Sequence, residues 1–166
     1  MTSAQHDTRD GIILGLIAYA SVAVFYAAFD FLATRGVLYT VNLLGRAAFR
    51  GLRDPGVLQF PVAIDATAVF LYNGVHLVLS LLIGQIVVRL VGRAERHPAQ
   101  ALPILVVIVA GFVATVIGVG ILSTPIRVVL PWWSIVIANA SAVVAGALFL
   151  SRQRPGVVRR LVPLLG

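Results

Sequence analysis

Residues 61–89 read PVAIDATAVFLYNGVHLVLSLLIGQIVVR, a long apolar stretch with an ionisable histidine, His76, near its centre. The polar side chains inside it recur at helical spacing and form what we call the polar stripe: Asp65, Tyr72, Asn73, His76 and Ser80. At about 100° per residue these positions fall on one helical face, with Asp65 and His76 only about 20° apart in projection. The stretch therefore predicts a transmembrane helix whose polar stripe is turned toward protein.

Apolar stretches of similar length occur at 11–33, 62–91, 101–122 and 131–150. Each is near or above the roughly 20 residues that a helix needs to cross a hydrocarbon core. Hydrophobic residues make up 60% of the chain, only 11% are charged, and the mean hydropathy is +1.00. Since backbone groups in lipid must bond within their own segment, we expect helices. The sequence predicts an all-α integral membrane protein, with residues 1–166 forming a single four-helix domain.

The connection between the first two spans, at 36–53, has two different faces. Hydrophobic residues form one face: Val37, Val41, Leu44, Ala48 and Leu52. Polar and basic residues form the other: Asn42, Arg46, Arg50 and Arg53. This pattern predicts an amphipathic interfacial helix with its apolar side in the acyl region. Arg46, Arg50 and Arg53 would then contact lipid headgroups.

Two of the spans carry strips of small residues. On the first span the strip is Gly11, Gly15 and Ala18, and on the third it is Gly111, Ala114, Thr115 and Gly118. Small residues let helix backbones approach closely in a membrane. Both strips therefore predict tight packing against a neighbouring helix.

The net charge of +7 comes from thirteen arginines and no lysine. These arginines flank the spans, where anionic headgroups account for them better than nucleic acid does. Eight lie on the side of both termini and five on the other, so the positive-inside rule places both termini in the cytoplasm. The absence of cysteine excludes disulfides, cysteine-ligated zinc and iron–sulfur clusters.

His76 is the sharpest candidate for a site. Its depth fits an axial ligand to haem or to the magnesium of a chlorophyll-type pigment, or a member of a proton relay. No other histidine lies inside a predicted span, so a second haem ligand would come from elsewhere. The structural alternative is a neutral histidine that is hydrogen-bonded to another helix through Asn73, Tyr72 or Ser80.

Asp30 and Asp65 lie at similar depth if the first two spans are antiparallel neighbours. Two intramembrane carboxylates suggest a cation or proton site. The alternative is an ion-pair cluster with Arg35 and the interfacial helix. Motifs of catalysis such as H-E-x-x-H, G-x-S-x-G and the Walker loop are missing from the sequence, so we expect neither enzyme activity nor a protein-bound metal.

Two motifs resemble a family. These are Leu43-Leu44-Gly45 with Phe49 and Gly51, followed by Tyr72-Asn73-Gly74-Val75-His76. Over roughly the first 90 residues the chain is similar to uncharacterised small four-helix bacterial membrane proteins. Some of these are associated with haem–copper oxidase loci, and the resemblance implies a multi-pass protein of the bacterial inner membrane with a respiratory association.

The leading functional hypothesis is a non-catalytic accessory, structural or assembly subunit of a larger energy-transducing complex, respiratory or photosynthetic. Its partners would be other membrane-protein subunits and lipids, not nucleic acid. One alternative is a haem- or chlorophyll-type pigment-binding protein with His76 as axial ligand. A second alternative is a small proton-coupled transporter that uses Asp30, Asp65 and His76.

Overall fold

The computed structural model describes residues 3–54, 56, 58 and 62–156, and within them it consists of helices and connecting turns. The helices are α1 (Ser3–Leu32), α2 (Tyr39–Phe49), α3 (Ala66–Arg96), α4 (Ala101–Leu122) and α5 (Trp132–Gln153). Short 3-10 turns lead into α4 and follow it. In this described part α1, α3, α4 and α5 are long and apolar enough to cross a membrane. The prediction of an all-α membrane protein with four such helices is confirmed.

The helix ends differ from the predicted boundaries for local reasons. Helix α1 begins well before residue 11, in the polar N-terminal segment. Helix α3 begins at Ala66 rather than 62, because the Asp65 side chain accepts a hydrogen bond from the Ala68 backbone N–H and so caps the helix. Helix α2 is shorter than 36–53 because Gly36 and Gly51 adopt φ values of +84° and +68°, which interrupt the helix on either side.

Helices α1 and α3 approach each other closely at two glycines. A Cβ added to Gly84 would lie 2.6 Å from the Gly15 backbone nitrogen, and one added to Gly15 would lie 2.6 Å from Leu81 Cα. Only glycine permits such an approach of two backbones. The tight packing predicted for the small strip of the first span is confirmed.

Two separate apolar clusters lie at the two ends of the bundle. The first joins the end of α3, the start of α4 and the end of α5 around one side chain of α1: its buried members are Leu14, Val88, Val91, Ala94, Ala101, Ile104 and Leu150. The second joins α2 to the α4–α5 turn and the start of α5: Tyr39, Leu43, Leu44, Ala47, Ile126, Leu130 and Ile135. Helix α2 thus packs across one end of the bundle.

Helix α4 is held only near its ends. Its buried residues are Ala101 and Ile104 at one end and Gly120 at the other, where the Trp132 ring lies against the glycine. Gly111 and Gly118 have open space at the position of a Cβ, with no atom within 4 Å. The predicted tight packing of this strip is therefore wrong within the described bundle. The Thr115 hydroxyl donates to the Gly111 carbonyl of its own helix, so no polar group of the strip needs a neighbour.

Candidate functional site

The polar stripe of α3 is turned toward protein, as predicted, and its members Asn73, His76 and Ser80 face helix α1. The Tyr19 hydroxyl donates a 3.0 Å hydrogen bond to Asn73 Oδ1, and Asn73 Nδ2 donates to the Val69 carbonyl. Ser80 is buried beside Gly15. Both polar atoms of the Asn73 side chain therefore have a protein partner. Inside a membrane this is necessary, because lipid acyl chains offer no hydrogen bonds.

His76 lies between two tyrosine rings. Its ring centroid is 5.2 Å from that of Tyr19 and 6.1 Å from that of Tyr72. In the described part of the chain, the imidazole makes aromatic contacts but receives no hydrogen bond from Asn73, Tyr72 or Ser80. The predicted hydrogen bond of His76 is therefore not found in the described residues, and the imidazole packs against two aromatic rings instead. Within the described ranges no group of three histidine, aspartate or glutamate side chains could hold a metal ion.

Asp30 lies at the end of α1 and caps the beginning of α2. Its side chain is 0% exposed, and its two oxygens accept hydrogen bonds from the Thr40 backbone N–H and the Thr40 hydroxyl, both at 2.6 Å. Leu38, at the N-cap position of α2, offers no side-chain hydrogen bond. The carboxylate supplies the missing acceptor from outside the helix, at the end where the helix dipole favours negative charge.

Arg35 balances the charge of Asp30 and links three segments. Its Nη2 lies 3.6 Å from Asp30 Oδ1, and its Nη1 donates to the Val129 carbonyl in the α4–α5 turn. The guanidinium carbon lies 5.0 Å from the Phe29 ring centroid and 4.8 Å from that of Tyr39. Ion pair and cation–π contacts together hold α1, α2 and the turn at one point.

Asp65 forms a second cluster at the start of α3. Arg50 Nε donates to Asp65 Oδ2 at 2.9 Å, and Asp65 Oδ1 accepts from the Ala68 backbone N–H. The hydrogen bond from Arg50, followed by that from Ala68, lowers the pKa of the Asp65 carboxyl below its usual value. The Asp65 backbone N–H donates to Asn42 Oδ1, and Asn42 Nδ2 donates to the Ala63 carbonyl. Helix α2 is thereby bound to α3 through both charge and amide contacts.

The inward face of α2 differs from the predicted one. Asn42, which the pattern places on the polar outer face, is only 1% exposed. Val37 and Ala48, which the pattern places on the apolar face, are exposed. The reason is the pair of hydrogen bonds that Asn42 makes to the segment before α3, since these bring the amide inward.

The three arginines predicted to contact headgroups have different surroundings. Arg50 is engaged by Asp65, while Arg53 is exposed beyond the end of α2. Arg46 is partly buried, and its Nε has no hydrogen-bond acceptor in the described structure. The headgroup contacts themselves stay a prediction.

The two acids Asp30 and Asp65 do not share a site. Asp30 bonds to Thr40 and pairs with Arg35, whereas Asp65 pairs with Arg50. Neither carboxylate makes a hydrogen bond to His76 in the described residues. The geometry corresponds to the predicted alternative, in which ion pairs tie the helix of the first loop to the bundle.

Sequence reasoning missed a cluster around Arg154, just beyond α5. Its Nη2 donates to carboxylates of Asp7 and Asp10 in α1, and its Nη1 lies 3.1 Å from a Glu95 oxygen in α3. In the sequence, Arg154 is one of several basic residues near the C-terminus. One feature of the sequence could have indicated this cluster. Three of the six acidic residues, Asp7, Asp10 and Glu95, lie at ends of spans on the side of both termini.

The further arginines of the C-terminus, Arg159 and Arg160, lie outside the described residues. So does the Gln59-Phe60-Pro61 segment before the second span. Comparison with protein-family models, curated proteins and solved structures found no match to this chain. The resemblance to small four-helix bacterial membrane proteins therefore stays a prediction.

Proposed function

We propose that this protein is a non-catalytic accessory, structural or assembly subunit of a larger bacterial energy-transducing membrane complex. The observation that carries the proposal is the uncovered strip on α4. Gly111 and Gly118 leave open space at the helix surface, although small residues of this kind promote close helix contact. A helix from another subunit would fill that space.

The polar groups of the bundle support a structural role. Asn73, Asp30 and Asp65 are all engaged in hydrogen bonds that join helices of this chain. Side chains that are held in this way position helices and leave little free for chemistry. We propose the inner membrane as the location, with the Arg154 end in the cytoplasm, on the arginine distribution. The resemblance to proteins near oxidase loci suggests a respiratory partner.

The test is purification from the native membrane in a mild detergent. We expect the chain to copurify in fixed stoichiometry with the subunits of an energy-transducing complex. Gly111→Leu and Gly118→Leu should abolish this copurification, because each fills the open strip of α4. Gly74→Leu is the matched control, since Gly74 on α3 also has no atom within 4 Å of a Cβ position.

Two results would contradict the proposal. One is a solitary protein in the gentlest preparation that keeps a known complex intact. The other is an equal yield of copurified subunits from the wild type and from the α4 variants.

A second candidate function is binding of haem or a chlorophyll-type pigment by His76. It is favoured by the imidazole itself, which makes ring contacts with Tyr19 and Tyr72 but no hydrogen bond within the described structure. A neutral imidazole without a hydrogen bond has an unprotonated nitrogen whose lone pair can serve as an axial ligand. Purified protein should then show a visible absorption band that His76→Ala removes. A colourless native preparation would exclude this candidate.

A further inference from the structure

Arg46 differs from the other arginines that are not exposed. Three described arginine side chains are partly buried: Arg35, Arg46 and Arg154. Arg35 pairs with Asp30, and Arg154 pairs with carboxylates of α1 and α3. Among these three, Arg46 has no ion pair in the described chain. Its Nε, like that of Arg35, is buried without an acceptor. A buried guanidinium N–H without an acceptor is costly, and a positive charge without an ion pair favours the binding of an anion at this position.

The surroundings of Arg46 leave one positive charge uncompensated. The positive charge of Arg46 acts across space on the Asp65 carboxylate. Asp65 already accepts hydrogen bonds from Arg50 and from the Ala68 backbone N–H. The two guanidinium groups of Arg46 and Arg50 therefore have one carboxylate nearby, and its hydrogen bond from an arginine comes from Arg50.

The Arg46 side chain is also not required to cap the C-terminal end of α2. The Arg46 carbonyl accepts hydrogen bonds from the backbone N–H groups of Arg50 and Leu52, which close the C-terminal end of α2. The helix end is thus satisfied by the main chain. The guanidinium remains available to a ligand.

The position of α2 indicates which anion reaches Arg46. Helix α2 lies between Leu32, where α1 ends, and Ala66, where α3 begins, so it lies at the level where membrane helices meet the headgroups. Phe49, one turn further along α2, is 40% exposed, and Ile64, next to Asp65, is 59% exposed. A cation beside exposed apolar side chains matches an amphiphilic ligand better than a free ion. The planar guanidinium suits the paired oxygens of a phosphodiester.

We infer that Arg46 binds the phosphate of one anionic phospholipid, whose acyl chains lie against Phe49 and Ile64. The lipid supplies the acceptor that Arg46 lacks and the negative charge that the Arg46, Arg50 and Asp65 group lacks. This inference is independent of the proposed subunit role, because α2 and the open strip of α4 are different surfaces.

The test is native mass spectrometry of the delipidated protein during titration with phosphatidylglycerol. We expect one tightly bound lipid on the wild type and at least about tenfold weaker binding for Arg46→Gln, as for the loss of a charge-assisted hydrogen bond. Arg53→Gln is the matched control and should bind as the wild type does, because Arg53 is exposed. Arg46→Lys keeps the charge without the planar fork and should bind with intermediate affinity.

Further measurements separate the possible outcomes. Thermal unfolding of each variant identifies any loss of binding that follows from loss of the fold, and Arg46→Lys then serves as the deciding variant. Phosphatidylcholine should bind more weakly than phosphatidylglycerol. Equal affinity of the wild type and Arg46→Gln would overturn the inference, as would full displacement of the lipid by millimolar inorganic phosphate, which would identify a free-phosphate site. Copurification of partner subunits should be unaffected by Arg46→Gln, so failure here does not bear on the proposed function.

Discussion

Helices α3 and α4 follow each other in the chain and are both apolar enough to cross a membrane, yet they are attached in different ways. Helix α3 is bound at several levels: through Asp65 at its start, Asn73 two turns into the helix, and Gly84 and Gln85 beyond its midpoint. Helix α4 is bound near its two ends only. Apolar side chains do not drive association in lipid, since acyl chains serve them equally well. Attachment therefore depends on specific polar bonds and close backbone contacts, which α3 has at several levels and α4 has only near its ends.

The largest effect should come from breaking the close contact of α3. Gly84→Leu places a branched side chain against the backbone of α1 at Gly15, and we expect it to reduce the free energy of unfolding by about 3 kcal/mol. Unfolding in mixed micelles with increasing SDS measures this. Gly118→Leu on α4 should leave the same quantity unchanged. Similar losses from both variants would show that α4 is bound as tightly as α3.

A smaller effect should come from the attached end of α4. Gly120→Leu displaces the Trp132 ring that lies on this glycine, and we expect a loss of about 2 kcal/mol in the same assay. The control is again Gly118→Leu, two residues away on the same helix but with open space around it. If Gly120→Leu proves neutral, the Trp132 contact does not hold α4.

A single hydrogen bond of the polar stripe should contribute less. Tyr19→Phe removes the hydroxyl that donates to Asn73, at a cost of about 1 kcal/mol. Its counterpart on α4 is Thr115→Val, which removes a bond within one helix and should change stability by less than about 0.5 kcal/mol. A larger loss of unfolding free energy for Thr115→Val than for Tyr19→Phe would contradict the view that polar bonds attach α3 more firmly than α4.

The smallest effect that we expect is on the stability of the protein at acidic pH. The folded pKa of Asp65 is lowered, so its ion pair stabilises the protein above the unfolded pKa of about 3.9, and this stabilisation is lost as the pH falls through the folded value. Over that interval the unfolded chain binds more protons, so stability rises with pH. Asp65→Asn should flatten part of the acid limb of a plot of melting temperature against pH. Superimposable profiles of the two proteins would count against this.

The sequence predicts the membrane helices well because length and apolarity set them. It also predicts the inward direction of the polar stripe, since groups such as Asn73 cannot face hydrocarbon alone. It does not predict the partner of each group. Gly15 and Gly118 carry the same signal for close packing, but only Gly15 has a neighbouring helix, and the local pattern holds no information on which helices meet.

For the charged clusters, too, the sequence predicts part of the arrangement but not the specific partners. The sequence indicates that Asp30 and Asp65 have arginine partners nearby, because both lie close to the basic first loop. It gives no sign that Asn42 turns inward, since that depends on hydrogen bonds to Ala63 and Asp65, about twenty residues away. Arg154 pairs with Asp7 and Asp10 across almost the entire chain, and no periodicity links positions so far apart.

The Arg154 cluster has a consequence for the order in which the bundle is made. Chains are synthesised and inserted from the N-terminus, so Asp7, Asp10 and Glu95 emerge long before the arginine that neutralises them. Until α5 has entered the bilayer, these three carboxylates at the ends of α1 and α3 lack the ion pairs that they make with Arg154. Arg154 follows α5, so the contacts that join α1, α3 and α5 at this end form only once α5 has been inserted.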